Sequence, residues 1–138
     1  MKLVPKSTQW ARENKERVSK QQKESKRTLN GKFANLITTS KYRCKISKRD
    51  HTIDVEYIRN LYIQQNGKCA ITGIDMIIRG DICAANSPYS ISLDRIDSNL
   101  GYIPGNVWLV CTGINLMKSR LSMNQFIDFC KKTVENFE

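Results

Sequence analysis

Hydrophobic positions along the chain fall into two unlike halves. Residues 6–27 are polar and free of glycine, with Trp10, Ala11 and Val18 as scattered apolar points. Such a segment can form a helix but has little to bury by itself. Asn30-Gly31 punctuates the chain, and residues 32–46 follow with Phe33, Leu36 and Ile37 marking one helical face. Asp54 reads as an N-cap, with Val55, Ile58, Leu61 and Tyr62 at helical spacing behind it. Asn66-Gly67 gives a left-handed stop signal. A short apolar segment, Cys69 to Ile71, ends at Gly73, and residues 74–88 read as an irregular connection.

From Tyr89 the pattern changes period. Ser90-Ile91-Ser92-Leu93-Asp94 alternates polar and apolar, as in a half-buried strand. A turn-rich stretch runs from Asp97 to Gly105, and Asn106 opens a second, β-branched and aromatic strand that continues to Cys111. Residues 113–121 suit a helix with Ile114, Met117 and Leu121 on its inner face. Ser122 and Gln125 fit a capping box for a last helix, whose apolar stripe is Phe126, Cys130, Val134 and Phe137. The expected class is α+β: a small strand–strand–helix unit with flanking helices and a helical arm. Two regions are expected, a basic arm at 1–45 and a domain at 46–138.

Charge changes this picture by giving the arm a partner. Residues 1–50 carry 15 Lys or Arg against 4 Asp or Glu, while residues 51–138 carry 8 against 9. The whole net charge of +10 therefore belongs to the N-terminal third. A basic arm on a near-neutral domain points to a polyanion, and nucleic acid is the usual one because each neutralised phosphate releases counterions. Lys15, Arg17, Lys20, Lys23, Lys26 and Arg27 are the arm's candidate phosphate contacts. No apolar run approaches the ~20 residues of a membrane span, so a soluble, intracellular protein is expected. The five cysteines are scattered and odd in number, which argues against a disulfide framework and fits a reducing compartment.

The polar residues of the 89–121 unit sit where phosphodiester chemistry needs them. Asp94 ends one strand, Asn106 opens the next, and Asn115 lies at the start of the helix. A carboxylate and an amide oxygen brought together by a hairpin folding on a helix can hold one hard cation, with its other positions open to water and phosphate. Taken singly, these residues would be turn and cap residues; their joint spacing is the signal.

The run from Ser92 to Ser119, with Leu-Asp-Arg-Ile-Asp, Gly-Tyr-Ile-Pro-Gly-Asn and Gly-Ile-Asn-Leu-Met-Lys within it, resembles the HNH, or ββα-metal, motif of phage and mobile-element endonucleases. Tyr62 to Gly73 resembles the segment that precedes that motif. The resemblance spans about residues 50–123 and leaves out the arm. It implies a Mg²⁺- or Mn²⁺-dependent endonuclease acting on double-stranded DNA, with Asp94 and Asn115 as metal ligands. Asn106 takes the middle position that holds the hairpin loop and orients the catalytic group. Lys118 and Arg120 are expected to meet the DNA backbone. A homodimer would be needed only for paired cuts at a symmetric site.

Two departures from that pattern matter. Where the family usually carries the water-activating His, this chain has Arg95, which keeps its proton and is a poor general base. Arg95 is expected instead to clamp the scissile phosphate, leaving His51, the one histidine, as a candidate base beside Tyr89, Tyr102 and a metal-bound hydroxide. The paired cysteines that bracket the hairpin in many relatives are reduced to Cys69 and Cys111. Two sulfurs are too few for a closed tetrahedral site, so packed thiols and no structural zinc are expected. The rival reading is a DNA-binding protein that kept the ββα scaffold and lost catalysis.

Overall fold

The computed structural model describes residues 12–21, 28–78 and 87–138. Residues 12–21 are helical and largely exposed, with Lys15, Arg17 and Lys20 among them. Lys23, Lys26 and Arg27 lie outside the described residues. The packed body is mixed α+β: α1 (Leu29–Ser47), α2 (Val55–Gln64), β1 (Ile91–Arg95), β2 (Val107–Cys111), α3 (Thr112–Lys118) and α4 (Met123–Phe137). None of the described helices is long and apolar enough to cross a membrane.

β1 and β2 form a two-stranded antiparallel sheet, in register from Ile91 opposite Cys111 to Arg95 opposite Val107. A lone hairpin is marginal in water, so both of its edges are covered. Outside β2, the Gln65 side chain donates to the Leu109 carbonyl and accepts from its N–H, and Ala70 N–H donates to the same carbonyl. Outside β1, Ile91 N–H donates to Ile77. Gln65 thus acts as a one-residue strand at the end of α2.

The core collects Phe33, Ile37 and Cys44 from α1, Ile58 from α2, and Ile91, Leu93, Leu109 and Val110 from the sheet. This corrects the expected boundary after residue 45. α1 carries a row of apolar side chains at helical spacing that the hairpin and α2 bury, so the packed domain begins with α1. Asn30-Gly31 is not a break but the first turn of α1, capped by the Thr28 hydroxyl accepting from Gly31 N–H. The other sequence signals coincide with observed ends: the Asp54 carboxylate accepts from Tyr57 N–H, Asn66 and Gly67 are left-handed, and Ser122 with Gln125 forms a reciprocal capping box.

Two connections place the long β1–β2 loop. Tyr102 N–H donates to the Asp50 carbonyl and Thr52 N–H to that of Tyr102, tying the loop to the segment after α1. Gly101 is required there, because an added Cβ would stand 1.9 Å from the Asp50 oxygen.

Candidate functional site

Successive residues of a strand leave on opposite faces, and this sorts the site. Ser92 and Asp94 leave β1 on the side of α3; Leu93 and Arg95 leave on the other. Asn115, on the first turns of α3, donates through Nδ2 to Ser92 Oγ at 2.7 Å and to the Leu93 carbonyl at 3.3 Å. Its amide oxygen therefore stays uncommitted among the described residues. Asp94 is 7% exposed. Its Oδ2 accepts from Trp108 Nε1 at 2.8 Å and lies 3.1 Å from Lys118 Nζ. Oδ1 has no partner among the described residues. The hairpin and α3 thus bring Asp94 and Asn115 to one junction, each with one oxygen to spare.

Lys118 corrects the expectation that it meets the DNA backbone. It is 0% exposed, and its ammonium is shared between Asp94 and the Arg95 carbonyl, the latter at 3.2 Å. The helical phase explains the error. Ile114 and Lys118, one turn apart, lie on the inner face, while Met117, expected in the core, is 61% exposed. A buried carboxylate needs a cation close by, and Lys118 supplies it. Arg120 lies beyond the end of α3 and is exposed.

Arg95 also differs from expectation. Its guanidinium leaves β1 on the face opposite Asp94, donates to the Leu100 carbonyl at 3.1 Å and lies 5.3 Å above the Tyr102 ring. It faces the loop rather than the Asp94–Asn115 junction. Asn106, expected among the catalytic groups as the residue that holds the hairpin loop and orients the catalytic group, does hold the loop. Its Oδ1 accepts from Asp97 N–H, and its Nδ2 donates to the carbonyls of Asp97 and Gly101, at 2.9, 3.1 and 2.9 Å.

His51 is half-buried, and both of its ring nitrogens face the protein. Ser40 Oγ, which lies 3.0 Å from the Ile37 carbonyl, is hydrogen-bonded to His51 Nε2 at 2.7 Å. Nδ1 is buried with no partner among the described residues. The ring lies 5.8 Å from that of buried Tyr102, which braces the loop. Burial, followed by the nearby Lys41 charge, holds the His51 pKa below its ordinary 6.5. This is a loop-bracing histidine, and the expected role as base is not what its geometry offers.

A consequence for pH follows. The unfolded chain takes up a proton near pH 6.5 that the folded state resists, so stability present above that pH is lost as pH falls through the depressed folded value. Melting temperatures between pH 7.5 and 5.5 are expected to fall less steeply for His51→Gln than for the wild type. Equal slopes would show that His51 stays charged and solvated in the fold.

Cys69 and Cys111 are both buried, with Cys111 N–H donating to Cys69 Sγ at 3.3 Å. Burial pushes the Cys69 thiol up, but the Thr72 hydroxyl and the backbone N–H groups of Cys111, Thr72 and Ile71 outweigh it, leaving the pKa lowered. Burial and the neighbouring Cys69 raise Cys111 to about 11. The described residues hold no group of three or more His, Cys, Asp or Glu able to bind a metal. A cation at the Asp94–Asn115 junction would therefore be held by two protein oxygens, with water and phosphate completing its shell. That donor set suits Mg²⁺, which keeps several waters and binds through one or two carboxylates plus substrate phosphate.

An uncharacterized 29.0 kDa protein in the dda-modA intergenic region of Enterobacteria phage T4 is similar to this chain, 33% identical over 99 residues. The match takes in 70% of this chain and 36% of that protein, so the chain spans about a third of its relative's length. No family model matches the chain, and no solved structure matches it.

Proposed function

We propose that the protein is a metal-dependent endonuclease of the ββα-metal, or HNH, kind acting on double-stranded DNA. The observation that carries this reading is the pair of uncommitted oxygens, Asp94 Oδ1 and Asn115 Oδ1, on a hairpin and the helix that follows it directly. A binding protein has no need of that pair. Mg²⁺ or Mn²⁺ held there supplies positive charge for the scissile phosphate and the leaving oxygen. The chain's own residues do the positioning. Lys118 and Trp108 fix the Asp94 carboxylate through Oδ2, Ser92 and Leu93 fix the Asn115 amide, and Asn106 holds the loop beside them. The basic residues before α1 grip the duplex without regard to sequence. The phage relative is compatible with work in a phage-infected cell.

A second reading has its own observation. Neither Arg95 nor His51 is free to take a proton from water, which favours a DNA-binding protein that retains the scaffold without cutting. Supercoiled plasmid separates the two. An endonuclease converts it to open-circle or linear DNA with Mg²⁺ or Mn²⁺ and not with EDTA. Retained DNA binding with no conversion under any divalent metal would establish the binder.

A further inference from the structure

A cleft of roughly 790 Å³ lies between the β1–β2 loop and the start of α4. Three arginines from separate parts of the chain line it: Arg49 after α1, Arg95 at the end of β1, and Arg120 after α3. Arg49 Nε donates to the Asn99 carbonyl and Arg95 to the Leu100 carbonyl, which fixes two of the guanidinia against the loop. None of the three is within salt-bridge reach of a carboxylate among the described residues. The one acidic residue in the lining, Asp97, has an oxygen engaged by Asn99 N–H within its own turn. The first turn of α4 adds to the same potential. Ser122 satisfies Gln125 N–H, while the N–H groups of Met123 and Asn124 have no partner among the described residues.

Unpaired guanidinia repel one another. Gathering three of them in one concavity is unfavourable unless an anion joins them, and the guanidinium fork matches a phosphate. We propose that this cleft seats a phosphodiester of the nucleic-acid backbone, next to but distinct from the phosphate that is cut. Arg95 belongs to this second seat by its side chain and to the Asp94 junction by its carbonyl, which accepts from Lys118. Two backbone positions are thereby held at a fixed separation. That a phosphodiester occupies the cleft rests on the reading of the substrate as nucleic acid, and its separation from a cut phosphate rests on the nuclease reading as well.

The test uses the full chain and a 20-base-pair duplex in EDTA, with binding followed by anisotropy over a range of salt. Arg49→Gln and Arg120→Gln should each weaken binding and make log affinity against log salt shallower by about 0.9. Lys131→Gln, an equal charge change on exposed α4, should leave the slope alone. Neutral methylphosphonates placed singly along the duplex should weaken wild-type binding at one internal position, and the effect should vanish in the double arginine variant. Unchanged slopes in both arginine variants, with wild-type binding and nicking intact, would overturn the cleft and leave the nuclease reading standing. Shallower slopes without nicking under any metal would support the cleft and remove the nuclease. Sensitivity only to a 5′-terminal phosphate would overturn the internal phosphodiester.

Discussion

Lys118→Met is expected to destabilise the protein by about 3–5 kcal/mol, the usual result of removing one partner of a buried ion pair. For a domain of this size that lowers Tm by about 10–20 °C. The cause is the Asp94 carboxylate, which would remain buried without its cation and with only Trp108 Nε1 on Oδ2. The Arg95 carbonyl would lose its ammonium partner as well. Adding Asp94→Asn to Lys118→Met should recover much of the loss, because neutralising both members removes the orphaned charge while the amide can still accept from Trp108. Thermal melts of the two single variants and the double variant check this. A Lys118→Met protein within about 1 kcal/mol of wild type would mean that water reaches the pair and that Lys118 is not the buried counter-ion described above.

The second large effect concerns activity. Asp94→Asn is expected to reduce Mg²⁺-dependent cleavage by more than about 10²-fold, since changing groups that merely support a metal ligand already costs about 10–100-fold. Asn115→Ala should lose activity on a similar scale. It removes both the spare oxygen and the bonds to Ser92 and Leu93 that position it. DNA affinity in EDTA should change little in either case, because the basic segment and the arginine cleft are elsewhere. The Asp94→Asn/Lys118→Met double variant is the informative form: it should be folded and bind DNA yet not cut, which separates loss of the carboxylate from loss of the fold.

Much of this architecture was legible in the sequence. Alternation at 90–94 and the β-branched run to Cys111 announced the hairpin, and Asp54, Asn66-Gly67 and Ser122-Met-Asn-Gln125 marked helix ends by local chemistry that needs no tertiary partner. What was not legible depended on tertiary context. The apolar spacing of Ile114, Met117 and Leu121 predicts one phase for α3, whereas the buried carboxylate of Asp94 selects the face carrying Lys118. Gln65 gave no signal of its role, because a polar residue at a helix end is ordinarily solvated. The charge of α1 groups it with the arm, although Phe33, Ile37 and Cys44 are spaced to reach a core. Arg49 stood in a run of basic residues, and only the folded loop joins it to Arg95 and Arg120. The strand alternation that turns Arg95 away from Asp94 was available from the sequence, and adjacency in the Asp-Arg dipeptide concealed it.

If the spare oxygens of Asp94 and Asn115 serve metal-dependent cutting of DNA, one gel shows it. Supercoiled plasmid is incubated with Mg²⁺ and either the wild type or the Asp94→Asn/Lys118→Met double variant, each purified identically and checked for folding by its melt. Open-circle or linear product is expected with the wild type and none with the folded double variant. Equal cutting by the two proteins, or none by the wild type with any divalent metal, would contradict it.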